Sequence, residues 1–265
     1  MALEFEFQEI DREISALEVL AANYLDPSGP TVLDRARETL RQIRRSHHYE
    51  AQAWTIPVDA PLRSKVSEGR FEPAAKSGPP VFAELSSKWE IAPIPRKRRK
   101  YGDVKEFRLS GIASSRIAIR SGSPDNPGRN LSIWRMEIAD DNSPGCYFHV
   151  QIADDEPYLP GDDGDALCYP KWLPVPRIPI FLATPLLAFE FALGELFQDD
   201  WPRELAREST AAQDWRPIQR RRLMSLLRWQ HGVVRDEQGS PWLALKKLLP
   251  PADLFISGER EGRID

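Results

Sequence analysis

The chain reads as an α+β fold: an N-terminal helical hairpin, an antiparallel β-meander of about five strands, and C-terminal helices. Three observations carry that reading. Apolar residues recur at spacings of three and four through the first fifty positions. Short runs with period-two alternation, separated by turn-rich links, fill the middle of the chain. Beyond residue 170 the helical spacing returns. Strands in succession, without helices between them, specify antiparallel pairing rather than parallel crossovers. A length of 265 residues lies near the upper limit for one core. The natural divisions are 1–50, 51–170 and 171–265, with the last expected to pack on the sheet as one unit.

Within residues 4–24, Phe7, Ile10, Ile14, Leu17, Leu20 and Tyr24 mark one face of an amphipathic helix. Asp26-Pro27-Ser28-Gly29-Pro30 breaks it. Thr31 is the expected N-cap of a second helix, with Asp34 at the reciprocal capping position. Leu33, Ala36, Leu40 and Ile43 form its stripe, and it should end near His47. Two helices on a short loop pack antiparallel, and such a hairpin either covers its own sheet or docks on a neighbour. Residues 55–80 carry Pro57, Pro61, Pro73, Pro79 and Pro80, which predicts an irregular arm over the surface. Strands are expected over 81–91, 105–111, 115–121, 131–139 and 146–153, the last two joined by a polar turn at 140–145. Thr184-Pro185 gives an N-cap and a first-turn proline for a helix running to Phe197. That helix is apolar nearly all round, so it should be central. Further helices are expected over 215–234 and from Ser240-Pro241 to just before Pro250, followed by a polar tail at 258–265.

Composition removes several classes. An apolar share of 41% and a charged share of 29% fit a globular protein and exclude global disorder. Eight Trp and eleven Phe can fill a core, each burying roughly 150–250 Å² when packed. The N-terminus, Met1-Ala2-Leu3-Glu4-Phe5-Glu6, is acidic and has no secretory leader pattern. The most apolar stretch, 178–197, is interrupted by Pro179, Pro185, Glu190 and Glu195, so it is expected as core rather than a membrane span. Two cysteines, Cys146 and Cys168, fit reduced thiols in a cytoplasmic protein. Arg- and Pro-rich usage accords with a GC-rich bacterial genome. A net charge of −4 carries no global nucleic-acid signature.

The last two expected strands hold the candidate site. Alternation places Trp134, Met136 and Ile138 on one face of the first, and Cys146, Phe148, Val150 and Ile152 on one face of the second. A hairpin register that unites these apolar faces gathers Arg135, Glu137, Tyr147, His149 and Gln151 on the other. His149 could then act as acid or base, with Glu137 orienting it and Arg135 holding an anion. The same pattern also describes a plain solvated face of an antiparallel sheet.

Two basic clusters stand out. Arg96, Lys97, Arg98, Arg99 and Lys100 form a run before Tyr101, and Arg216, Arg220, Arg221, Arg222 and Arg228 share a helix with Trp215 and Trp229. Arginines can contact phosphates while aromatics stack on bases, so Arg96–Lys100 with Arg220, Arg221 and Arg222 are the candidate nucleic-acid contacts. On that helix Leu223, Leu226 and Leu227 should define the buried side. The loop acids Asp154, Asp155, Glu156, Asp162, Asp163 and Asp165 do not match an EF-hand series, and no metal is expected. His47, His48 and His231 sit at helix ends, where imidazolium complements the dipole. No phosphate loop, CxxC pair, HExxH or GxSxG occurs, and no cofactor is expected. These features favour a non-enzymatic binding or assembly subunit whose partner is another protein, with nucleic acid a second partner and no membrane. The alternative is a phosphodiester hydrolase centred on His149.

Overall fold

The computed structural model describes residues 2–46, 49–67, 80–95, 105–111, 113–139, 147–152, 177–178, 184–236, 239–240 and 249–256. Among these are nine strands, all paired antiparallel, and five helices. The α+β class and its order, helices then strands then helices, are as the sequence predicts.

The sheet grows from one long strand, β4 (Val81–Pro93). β2 (Gln52–Ile56) and β3 (Leu62–Arg63) pair along one edge of it. β5 (Glu106–Leu109) and β6 (Ala113–Ser123) follow one another along the opposite edge, against residues 91–93 and 81–88 respectively. They act as one interrupted strand returning along β4. On the far side of β6 lies β7 (Asn126–Ile138), then β8 (Phe148–Ile152) and β9 (Arg177–Ile178). The far side of β5 is taken by β1 (Glu4–Glu6). The chain end is thus part of the sheet, which corrects the expectation that residues 4–6 begin a helix. The reason is aromatic: Phe5 sits among Phe107, Trp89 and Phe255, with ring centroids 5.4–5.7 Å apart.

The strands replace part of the expected arm. Residues 52–56 and 62–63 cover the edge of β4 despite the prolines, which fall at 57 and 61 between the strands. Trp54 drives this pairing, since it is buried edge-on against Trp89 and donates its indole N–H to the Ala36 carbonyl at 2.9 Å.

α1 (Phe7–Leu20) and α2 (Gly29–Arg45) form the expected hairpin, clasped by Arg41 on Asp11 at 2.8 Å and Arg37 on Glu18 at 2.8 Å. The N-cap of α2 is Ser28, three residues before the predicted Thr31. Pro30 fits the first turn, where no backbone donor is needed, and so draws the start forward. Asp34, instead of closing a capping box, pairs with Arg37.

α3 (Pro185–Phe197) starts as predicted: the Thr184 hydroxyl accepts from the Leu187 amide at 3.1 Å. It lies across β4 and β6 and buries Leu186, Phe189, Ala192 and Leu193. After it come α4 (Asp200–Ala206), which the sequence reading did not separate, and the long α5 (Thr210–Asp236). α5 packs along α1. The core fills the space between the helices and the sheet face carrying Leu85, Trp89, Ile117, Met136 and Val150. No helix among the described residues is long and apolar enough to cross a membrane. The expected helix over 241–248 lies outside the described residues.

A polar face on the β7–β8 hairpin

Register decides what the hairpin presents. Trp134 stands opposite Ile152, Met136 opposite Val150, and Ile138 opposite Phe148, so the apolar halves of the two strands coincide. Burial of that face against the helices enforces this register, because a one-residue slip would turn every apolar side chain outward. Glu137 therefore faces His149, and Arg135 faces Gln151. β6 extends both rows from its other side, with Ser114 opposite Glu137 and Arg116 opposite Arg135. The sequence reading missed Arg116 because it considered one hairpin alone. On β9, Arg177 is in register with Gln151.

The face is not a solvated one at its centre. The His149 side chain is only 2% exposed, and its Nε2 lies 3.1 Å from Glu137 Oε2 and 3.3 Å from the Gln151 amide. One ring nitrogen cannot both donate and accept. The carboxylate accepts only, so Nε2 carries the proton and donates to Glu137, while the Gln151 side-chain nitrogen lies 3.3 Å from the same ring nitrogen. Tyr147 departs from the set in part: its ring packs edge-on against Phe148 at 5.2 Å and belongs to the buried core. Further along the sheet, Glu84 accepts from both Arg63 at 2.9 Å and Arg120 at 3.2 Å, tying β3 to β6 across β4. Chemically, the rows carry guanidiniums, an amide and a hydroxyl, all on half-buried residues. They do not offer an open imidazole.

The basic helix requires a correction. Arg222 is 0% exposed: its Nη1 donates to Glu13 at 2.7 Å, its Nη2 approaches Glu9 at 3.4 Å, and its guanidinium lies 5.7 Å from the Phe5 ring centre. Arg221 pairs with Glu9 and donates to the Phe255 carbonyl at 2.6 Å. Both are bound to the protein's own groups, so Arg221 and Arg222 leave the candidate nucleic-acid set, while Arg220 stays exposed. Glu13 also accepts from Thr184 at 3.1 Å and Gln219 at 2.6 Å, which joins α1, α3 and α5 at one buried point. A signal for this existed. Arg222 lies four residues from both Ile218 and Leu226, and Glu13 lies four from Leu17, so each falls on a buried row. Consequently the predicted buried side of α5 is wrong for two of three leucines: Leu226 is buried, but Leu223 and Leu227 face outward.

Asp199 and Asp200 pair locally with Arg203 rather than with the α5 arginines. Arg96, Lys97, Arg98, Arg99, Lys100, the acidic loop, His47, His48 and both cysteines lie outside the described residues. Among the described residues no three His, Cys, Asp or Glu side chains converge as metal ligands. Comparison with family models, with curated proteins and with solved structures finds no match to this chain.

Proposed function

We propose that this chain is a non-catalytic binding subunit of a cytoplasmic multi-protein assembly. The observation that carries this reading is the state of His149. A general acid or base must reach the proton it moves, directly or through one water. Here the ring is enclosed and its Nε2 is committed to Glu137, so the group best suited to chemistry serves to tie β7 to β8. Ser114, Arg116, Arg135 and Gln151 then line a half-buried polar patch beside this pair, which suits recognition of a polar partner better than catalysis. Only two cysteines in 265 residues support a reducing compartment. Association of the assembly with nucleic acid would run through groups other than Arg221 and Arg222.

The test is gentle purification from the native host, recording companion proteins and the ratio of absorbance at 260 and 280 nm. A stoichiometric protein companion is the expected result. If the chain instead elutes alone and cleaves bis(p-nitrophenyl) phosphate, with the activity lost in a folded His149→Ala variant, the hydrolase reading replaces this one.

A further inference from the structure

We infer that the outward face of α5 docks an acidic amphipathic helix of a partner protein, an inference that rests on the binding-subunit reading and names the partner's chemistry. Leu223, Met224 and Leu227 are 44%, 43% and 48% exposed, and Val234 continues their row about two turns beyond Leu227. A helix free to roll would hide these side chains. α5 is not free to, because Arg222 on its opposite side is anchored to Glu13 and Glu9, and Leu226 is packed beside it. The exposure is therefore set by the buried ion pairs.

Arg220 and Arg228 are exposed next to that row, and no carboxylate occurs in α5 between Asp214 and Asp236. The face thus presents an apolar ridge with two cations along one side, and α5 places no carboxylate beside it. Its complement is an apolar stripe bordered by carboxylates, which an acidic amphipathic helix supplies. The apolar row at positions i and i+4 is one ridge wide, the width a neighbouring helix receives between its own ridges. A membrane-surface helix instead needs a broad apolar face. Nucleic acid would call for aromatic platforms beside the cations, and the exposed row is aliphatic.

The experiment uses the full chain and a fluorescein-labelled peptide with leucine at the a and d positions of each heptad and glutamate at the flanks. Fluorescence anisotropy should show saturable binding to the glutamate peptide and none to a version with lysine flanks. Leu227→Glu should weaken binding by about tenfold or more. The double variant Arg220→Glu/Arg228→Glu should reverse the preference and bind the lysine peptide. All three positions are exposed, so thermal midpoints should match the wild type and separate lost docking from lost folding. Absence of binding, equal binding by Leu227→Glu, or Leu227-dependent binding of single-stranded DNA or phosphatidylglycerol vesicles in place of the peptide overturns the inference. A native companion that Leu227→Glu retains removes this docking face alone. A wild-type chain that elutes alone removes the subunit reading itself.

Discussion

Glu13 and Arg222 are both fully buried, and each has lost its water. Charges of this kind persist only when paired and hydrogen-bonded, as Thr184, Gln219 and Glu9 ensure here. Removing one partner should therefore cost far more than removing both. Arg222→Met is expected to destabilise by roughly 3–5 kcal/mol in urea unfolding, and the added change Glu13→Gln should recover part of it. If the double variant is less stable than Arg222→Met, the pairing account fails. Glu190 behaves differently. Burial raises its carboxyl above the usual range, while the Trp201 indole N–H at 2.8 Å pulls it back. A carboxyl raised on folding holds its proton more tightly in the folded state. Its contribution is present below the ordinary glutamate value and is lost as pH rises through the raised one. Glu190→Gln keeps an acceptor for Trp201 and should melt above the wild type at neutral pH but not at acid pH. A difference that does not change with pH would contradict this.

At the scale of elements, α5 shows how an ion pair can overrule an apolar pattern. Three leucines look equivalent by residue type, yet the rotation set by Arg222 separates them. Leu226→Ala should cost about 2–5 kcal/mol, whereas Leu223→Ala and Leu227→Ala should stay within about 0.5 kcal/mol of the wild type. Chemical denaturation of the three variants checks it directly, and equal losses would return Leu223 and Leu227 to the core. The start of α3 is the opposite case, where a local rule held. Thr184→Ala should cost about 1 kcal/mol for the lost cap, with more to come because the buried Glu13 carboxylate loses the Thr184 hydroxyl as a donor.

For the whole molecule, β4 is the spine. It has partners along both edges and helix α3 against one face, so its opening requires global unfolding. Amide exchange in β4 and β6 should be the slowest in the chain, and faster exchange there than in α2 would show that the sheet is not the stable unit. The N-terminal hairpin cannot be removed as a separable docking module. Residues 1–46 supply β1, the clasp on Trp54 and both carboxylates that hold Arg222. A truncation to residue 47 is expected to unfold, as judged by loss of the near-ultraviolet signal from the buried tryptophans.

The sequence by itself determined what depends on neighbours a few residues away. It placed α1 through Leu17, the stripe of α2, the Thr184 cap, five central strands and the shared face of Glu137 and His149. Periodicity and the hairpin register are local, and burial of one face makes them decisive. Only the tertiary structure decided the rest. That Arg116 joins the rows, that Phe5 pulls the chain end into the sheet, and that Glu13 draws Arg222 inward all depend on groups far apart in sequence. A charged residue is read as exposed until the opposite charge that neutralises it is known. For Arg222 that charge lies 209 residues away, and it is this long-range pairing that turns Leu223 and Leu227 outward.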